Sequence, residues 1–316
     1  MRSFPFRLCF GLAIASLGLV LASFALSFSD KALGATPILS RTSSGKLFFD
    51  DFNRTSLGSG YTAEDMGTDG WSIMGNRLRY TSTSGNGQAY LRNAFSYNGE
   101  AIYDFTFRNN DNLLVAPRFA MQKAAGPAGD HYLFDTDHGT ATTVYRVTSG
   151  VYTTLLDQPL AYDVNVDYRT KIRLGAAGTG TVQVWRNEVL LGIGDDTVPL
   201  GSGNFSFHVG NFDTGGTVDY DNMAIYKSTK LTVNGPYGSW ALYQNDGATR
   251  MGTCNTSSIV DYATVTSFPA DYAAGSASQI KVFPTGVTNC TGTPAAAYPG
   301  SPGNEIFGGD VFTFTP

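Results

Sequence analysis

The sequence is short of several residue types, and each shortage narrows what the protein can be. Its 316 residues include only three histidines and three cysteines, too few to suggest a zinc centre of clustered His and Cys ligands. Glutamate is also scarce, because the 26 acidic residues include only Glu64, Glu100, Glu188 and Glu305. Few candidates therefore exist for a pair of catalytic glutamates.

Charge is sparse too, at 15% of residues, and the net charge is −5. Such a chain offers no basic surface for a phosphate backbone, so we expect no nucleic-acid partner. The sequence contains no G-x-S-x-G motif, no phosphate-binding loop and no metalloprotease helix motif. What it has instead is glycine, aspartate and aromatic residues, a composition typical of short strands joined by tight turns.

The first 35 residues have the pattern of a secretory signal peptide. Arg2 and Arg7 precede an uncharged, mostly apolar run over residues 8–29, and small residues follow at Gly34 and Ala35. Cleavage near Ala35 would place the protein outside the cell or at the cell surface. The alternative is an uncleaved anchor, because the run approaches the ~20 residues that span a bilayer. That anchor would be the protein's only contact with a membrane.

Two cysteines remain beyond the presequence, Cys254 and Cys290. An even pair behind an export signal predicts a disulfide. Closing a loop of this length stabilises a fold by about 4 kcal/mol on the chain-entropy model.

Strand periodicity runs through most of the chain. Apolar and polar residues alternate from Leu47 to Tyr80 and again over residues 218–226, whereas no stretch of ten or more residues has helical periodicity. Ten or more short strands without a fixed repeat favour an all-β sandwich over residues 47–227. We expect its first and last strands to be neighbours, residues 36–46 to be a flexible linker, and residues 228–316 to form a second, small β domain.

Several motifs, taken in order, resemble a known family. They are DDFNR at residue 50, LGSGY at 57, WSI at 71, GNRL at 75, TVQVWRNEVLLGIGDD at 181 and VDYDNMAIY at 218. Together they resemble concanavalin A-like lectin and glucanase jelly rolls, including the laminin-G-like modules of secreted proteins. The resemblance covers about residues 47–227 and implies an antiparallel β-sandwich. The C-terminal unit resembles small immunoglobulin-like or transthyretin-like domains.

The resemblance also implies a structural Ca²⁺ where the first and last strands meet. Asp221 falls at the family's position just before the closing strand, and Asp50 or Asp51 would complete the site together with backbone carbonyls. The alternative is that these acids lie at strand ends and face water.

A polar face is the candidate ligand site. On a strand, His131 and Asp135 share one face, while Tyr132 and Phe134 point into the core. Phasing the neighbouring strands by their aromatic residues places further polar side chains on that outer face. The predicted ligand-binding residues are Arg118, His131, Asp135, Arg146, Arg173 and Trp185.

Such a face suits a sugar, because charged side chains bind hydroxyl groups and an aromatic ring packs on the pyranose. The alternative is the solvated outer face of an antiparallel sheet. An enzyme would use His131 and Asp135 as its catalytic pair. However, the E-x-D-x-x-E strand of the glycosidases with this fold is absent from the sequence.

Three functions therefore stand as hypotheses. The first is an exported, non-catalytic protein that binds carbohydrate or a cell-surface glycan. The second is a secreted glycan hydrolase, and the third is a structural surface spacer.

Overall fold

The structure is a computed structural model that describes residues 36–64, 70–83, 87–176, 178–211, 215–244, 246–261, 278–299 and 304–316. The predicted presequence, residues 1–35, lies outside the described residues. Within them, no helix is long and apolar enough to cross a membrane.

Two antiparallel sheets form the larger part of the molecule. The seven-stranded sheet contains β3 (Tyr61–Ala63), β6 (Gly87–Ser96), β8 (Val115–Lys123), β9 (His131–Asp135), β10 (Ala141–Thr148), β11 (Val151–Pro159) and β15 (Asn204–Asn211). The eight-stranded sheet contains β2 (Lys46–Asp50), β4 (Gly70–Met74), β5 (Arg77–Thr81), β7 (Ala101–Asn109), β12 (Tyr168–Leu174), β13 (Thr181–Arg186), β14 (Val189–Asp195) and β16 (Thr217–Tyr226). The strand orders are β11-β10-β9-β8-β15-β6-β3 and β14-β13-β12-β7-β16-β5-β4, with β2 paired to β16.

Aromatic side chains from both sheets fill the space between them. Phe105 on β7 stacks on Phe119 on β8 with ring centroids 4.5 Å apart, and both side chains are fully buried. This contact joins the two layers at their centre, as expected when alternate residues of each strand point inward. The predicted all-β sandwich is therefore confirmed. The expected pairing of first and last strands is confirmed as well, because β2 pairs with β16 from Asp50–Met223 to Lys46–Tyr226.

A second, smaller sandwich follows. Its sheets are β1-β23-β17-β20 and β19-β18-β21-β22, built from β1 (Ile38–Ser43), β17 (Lys230–Asn234), β18 (Ser239–Tyr243), β19 (Arg250–Asn255), β20 (Ile259–Asp261), β21 (Gln279–Phe283), β22 (Ala296–Tyr298) and β23 (Val311–Thr315). Trp240 and Phe312 are fully buried in its own core. The predicted disulfide is confirmed, since Cys254 and Cys290 are bonded.

The expectation of a flexible linker over residues 36–46 is wrong. Residues 38–43 form β1, which pairs antiparallel with β23 from Ile38–Thr315 to Ser43–Val311. Leu39 supplies the physical reason, because its side chain is buried in the core of the smaller sandwich. The smaller sandwich therefore contains β1, which precedes the larger sandwich in the sequence, together with strands that follow it.

The two sandwiches meet through buried contacts, and Ile38–Thr315 form one compact unit. Phe307 from the C-terminal part packs with Ile102, Trp185 and Tyr226 on the outer face of the eight-stranded sheet. Next to it, the buried carboxylate of Asp310 accepts hydrogen bonds from the backbone N–H of Gly45 at 2.6 Å and of Phe307 at 3.0 Å. These contacts cover part of one outer face of the larger sandwich.

Candidate functional site

A row of polar side chains crosses the outer face of the seven-stranded sheet. The strand registers pair Tyr90 with His208, His208 with Arg118, Arg118 with Asp135, and Asp135 with Thr143. Residues directly opposite on adjacent antiparallel strands lie close enough for their side chains to interact. Five neighbouring strands thus bring five polar or aromatic groups into one line.

Arg118 and Asp135 form an ion pair at the centre of this row. The Arg118 Nη2 atom lies 2.7 Å from Asp135 Oδ2, and the two side chains are only 8% and 5% exposed. The guanidinium rests on the backbone of Gly210, where a Cβ atom would lie 2.6 Å from the Arg118 Cζ atom. On the core side, the Arg118 backbone N–H donates to the Tyr220 hydroxyl at 2.9 Å. The position of Arg118 is therefore fixed from both faces of the sheet.

Asp135 also holds the turn that follows β9. Its Oδ1 atom accepts the Asp137 backbone N–H at 3.0 Å. Asp137, His138 and Gly139 have φ angles of 42°, 54° and 82°, three consecutive left-handed residues. Each non-glycine residue in this region costs about 1 to 2 kcal/mol, and such strain is often found at functional sites. The result is that the Asp137 carboxylate stands at the rim of the row, with its side chain 51% exposed.

These residues line a cleft of about 260 Å³. Its walls, which we call the cleft residues, are Gln88, Arg118, Asp135, Asp137, Tyr145 and Tyr152. The rings of Tyr145 and Tyr152 meet edge to face with centroids 5.5 Å apart. The Gln88 amide donates to the Tyr152 hydroxyl at 3.3 Å and accepts from the Tyr90 hydroxyl at 2.7 Å. The cleft thus combines two aromatic rings with charged and amide groups.

Burial and the nearby carboxylates both act on Tyr145. The pKa of its hydroxyl is raised, chiefly by burial and further by the negative charges of Asp135 and Asp137. The phenol therefore stays protonated beside these two carboxylates.

His131 shares the face of Asp135, as predicted, but it does not line the cleft. Its side chain is 2% exposed, and Nδ1 donates to the Gly129 carbonyl at 2.6 Å. Burial lowers the pKa of His131 to about 4. His208 is fully buried, and its ring stacks on Tyr90 with centroids 3.9 Å apart. Burial also lowers the pKa of His208, so both imidazoles are neutral at neutral pH.

The structure separates the other predicted ligand residues from this cleft. Arg173 lies on β12 of the eight-stranded sheet, where it donates to Gln183 at 2.8 Å and Glu100 at 2.7 Å. Trp185 lies on the same sheet and points outward as predicted, yet it is only 1% exposed because it packs with Phe307. The assignment of Trp185 as a ligand residue is therefore corrected, and the expectation of one shared sheet face is wrong.

Arg146 needs a second correction, because it points to the core side of β10. Its register partner is the core residue Tyr132, and its Nη1 atom lies 2.6 Å from Oδ1 of the buried Asp196. The Tyr132 hydroxyl donates to the other oxygen of Asp196 at 2.9 Å. The ion pair with this carboxylate holds the Arg146 guanidinium on the inner side, so Tyr145 takes the outward position that the aromatic phasing gave to Arg146.

Four of the six cleft residues were missed from the sequence: Gln88, Asp137, Tyr145 and Tyr152. The sequence shows Asp135 and Asp137 two residues apart. That spacing does not predict the left-handed turn that brings the Asp137 carboxylate to the cleft. The Ser149–Gly150 turn was visible too. It pairs β10 with β11 and so brings Tyr145 and Tyr152 together.

The residues expected to hold calcium fit the ion only in part. Both oxygens of Asp50 accept hydrogen bonds, from Arg54 on one side and from Arg54 and Tyr61 on the other. Asp50 therefore has no free oxygen for a cation. Asp221 is half-buried, and burial raises its pKa to about 6 even though the Arg77 guanidinium, 3.8 Å from its Oδ2 atom, acts to lower it. The negative charges of Asp167 and Asp51 act in the same direction as burial. Among the described residues, no group of three or more His, Cys, Asp or Glu could hold a metal ion.

The larger sandwich has the concanavalin A-like jelly-roll fold. Its two antiparallel sheets share one core, and its first and last strands pair, as the sequence predicted. No protein-family model matches the chain, and no curated protein matches it.

Solved structures with a similar fold exist. A Bacillus subtilis protein of unknown function with a galectin-like fold is 10% identical, with a TM-score of 0.50 over 60% of this chain and 98% of that one. The carbohydrate binding module CBM66 from Bacillus subtilis is 17% identical, with a TM-score of 0.42 over 54% and 98%. A Bacillus licheniformis beta-glucanase is 14% identical, with a TM-score of 0.45 over 58% and 99%. At such identities the likeness shows the fold and not a shared activity.

Proposed function

We propose that the protein is an exported, non-catalytic carbohydrate-binding protein whose ligand occupies the cleft on the seven-stranded sheet. The observation that carries the proposal is the arrangement of the cleft residues, which places two tyrosine rings beside an amide and two carboxylates. Sugars need both kinds of group, because apolar C–H faces pack on aromatic rings while hydroxyls need donors and acceptors. The cleft volume of about 260 Å³ suits a small unit such as one sugar residue.

The same geometry supports binding over catalysis. Both oxygens of Asp135 are engaged, one by Arg118 and the other by the Asp137 backbone N–H. His131, the other residue of the hydrolase hypothesis, shares the outer face of β9 with Asp135 but is buried away from the cleft lining as a neutral imidazole. A catalytic pair would need one free carboxylate and one free acid or base facing the same ligand. The spacer hypothesis has no role for an ordered cleft of this kind.

Export is part of the proposal because of the predicted presequence over residues 1–35. The disulfide between Cys254 and Cys290 fits an oxidising compartment, in which such bonds persist. A glycan outside the cell or on a cell surface is the partner that this location offers. If the presequence is not cleaved, it would anchor the protein in a membrane, and the protein would bind its glycan at the cell surface.

The first test is Tyr152→Ala. Tyr152 is 44% exposed at the cleft wall, so its removal should leave the fold intact. We expect binding to the best ligand on a glycan array to weaken by about tenfold, since truncating a tyrosine that packs on a ligand typically costs more than about 1 kcal/mol. The matched control is Val151→Ala, the exposed neighbour on the same strand, which should bind like the parent protein. Equal binding by Tyr152→Ala would contradict the cleft as the site.

A structural Ca²⁺ remains a proposal, with Asp51 and Asp221 as its carboxylate ligands and backbone carbonyls completing the set. Extracellular calcium sites have dissociation constants of about 0.1 to 1 mM. At about 10 mM Ca²⁺, a site of this affinity would therefore stabilise the fold by roughly 1.4 to 2.7 kcal/mol. We expect the melting temperature to rise by several degrees in Ca²⁺ and by less in Mg²⁺. The rise should disappear in Asp221→Asn, and a rise that persists there would place the ion elsewhere.

A further inference from the structure

We infer that the cleft selects a sugar residue that carries a free, protonated amino group, so that its preferred ligands are glycans with unacetylated hexosamines. This inference rests on the proposed function, because it names the ligand class of the same cleft. It follows from the distribution of charge over the cleft residues and from the position of the two tyrosine rings.

The charges in the cleft do not cancel. Arg118 is the cation among the cleft residues, and it is already paired with Asp135 at 2.7 Å in the buried floor. Asp137 stands above this pair and is half exposed. Among the described residues, no arginine or lysine lies within ion-pair distance of Asp137, whose basic neighbour is His138 at 3.8 Å. Asp137 therefore gives the cleft a negative charge that no arginine or lysine among the described residues neutralises.

An aromatic wall lies beside that charge. Tyr145 lines the same cleft as the carboxylates of Asp135 and Asp137. Tyr152 meets Tyr145 edge to face and extends the wall. A carboxylate next to tyrosine rings is the combination that binds an ammonium group, through an ion pair and a cation–π contact. A ligand carboxylate would instead be repelled.

The remaining cleft groups favour a sugar as the carrier of the amine. The Gln88 amide and the tyrosine hydroxyls are donors and acceptors placed within one small volume, as hydroxyl recognition requires. An N-acetyl group would remove the positive charge and add bulk at the rim. Acetylated and unacetylated sugars should therefore differ in affinity.

Titration calorimetry with three trisaccharides of the same linkage tests the inference. These are the trimers of glucosamine, N-acetylglucosamine and glucose, and a uronic acid trimer serves as the acidic probe. The titrations are run at a pH below the measured pKa of the glucosamine amine, so that this group carries its positive charge. An exposed ion pair and an exposed cation–π contact together predict that the glucosamine trimer binds about threefold to thirtyfold tighter than the glucose trimer. This preference should shrink as salt is raised, because salt screens exposed charges.

Asp137→Asn is the decisive variant. Asparagine tolerates the left-handed backbone at this position, so the turn is kept while the charge is removed. The ratio of affinities for the glucosamine and glucose trimers should fall to about one. The matched control is Asp195→Asn, which removes an exposed carboxylate on β14 of the other sheet and should keep the parent ratio.

The outcomes separate the inference from the proposed function. The inference is overturned if the glucose, acetylated or uronic acid trimer binds as tightly as the glucosamine trimer, or if Asp137→Asn keeps the preference. In those cases the proposed function stands wherever Tyr152→Ala still weakens binding. If no trimer and no arrayed glycan binds to the folded protein, the proposed function fails and the inference fails with it.

Discussion

Replacing Arg118 by alanine is expected to lower the free energy of unfolding by about 3 to 5 kcal/mol. The reason is that Asp135, whose side chain is 5% exposed, would keep a buried charge without its cation. We expect the change to loosen the Asp137 turn as well, because Asp135 Oδ1 accepts the Asp137 backbone N–H and Arg118 holds the other oxygen of that carboxylate. Urea denaturation measures the loss, and ligand binding in the cleft should disappear with it.

Two controls separate the buried charge from a general effect of losing arginine. Arg108 pairs with Asp167 at the surface, with side chains 32% and 36% exposed, and Arg108→Ala should cost less than about 1 kcal/mol. The double variant Arg118→Met with Asp135→Leu removes both charges, so it should be more stable than Arg118→Ala alone. The interpretation fails if Arg118→Ala costs no more than Arg108→Ala.

Much of the fold could be predicted because it depends on local alternation. In residues 218–226, Val218 and Tyr220 point inward, and Met223 and Ile225 do so again beyond a bulge between Asp221 and Ala224. The alternation on either side of the bulge was enough to assign the closing strand and its partner β2. The cysteine pair was predictable for a similar reason, since only two candidates remained. Features of this kind can be predicted without knowing which distant segments of the chain contact each other.

The strand β1 could not be predicted from the same pattern. Its sequence ILSRTS contains one buried residue, Leu39, and reads as a polar lead-in. What makes it a strand is pairing with β23, whose residues come more than 260 positions later. An edge strand that depends on so distant a partner carries little signal of its own.

The candidate site was predictable in part. Arg118 and Asp135 were placed on one outer face, and the register of β8 and β9 brings them together as a pair. Arg146 was placed wrongly because aromatic residues were assumed to point inward, whereas the buried Asp196 accepts the arginine and leaves Tyr145 outside. Trp185 was wrongly predicted to be exposed for a different reason. It is buried by Phe307, which follows the larger sandwich in the sequence.

Taken together, these contacts explain why the cleft lies on one sheet and not on the other. The outer face of the eight-stranded sheet is partly covered by the C-terminal part of the chain through Phe307. On that face the cations are engaged in ion pairs, such as Arg79 with Asp219 at 2.6 Å and Arg173 with Glu100 at 2.7 Å. The seven-stranded sheet instead carries the open cleft, in which Asp137 has no arginine or lysine within ion-pair distance among the described residues. The outer face of the eight-stranded sheet thus packs against the C-terminal part of the chain, whereas the outer face of the seven-stranded sheet carries the candidate site.

A shortened chain of residues 44–227 is expected not to yield a soluble, folded sandwich. Without the C-terminal part, the fully buried Ile102, Trp185 and Tyr226 lose the cover of Phe307 and face water. Burying a large apolar side chain stabilises a fold by about 1.5 to 3 kcal/mol, so the three together account for roughly 5 to 9 kcal/mol. This approaches the whole stability of a typical domain, about 5 to 15 kcal/mol, and the uncovered patch would promote association.

The soluble fraction after expression and the near-ultraviolet circular dichroism of the purified chain measure this effect. The matched control is the same shortened chain with Ile102→Thr and Trp185→Thr, which removes apolar surface from the uncovered face and keeps residues suited to strands. We expect this control to recover soluble protein, because its exposed face no longer needs a cover. If the shortened chain without these substitutions is soluble, monomeric and as heat-stable as the full-length protein, the contacts of Phe307 contribute little and the C-terminal part is an independent appendage.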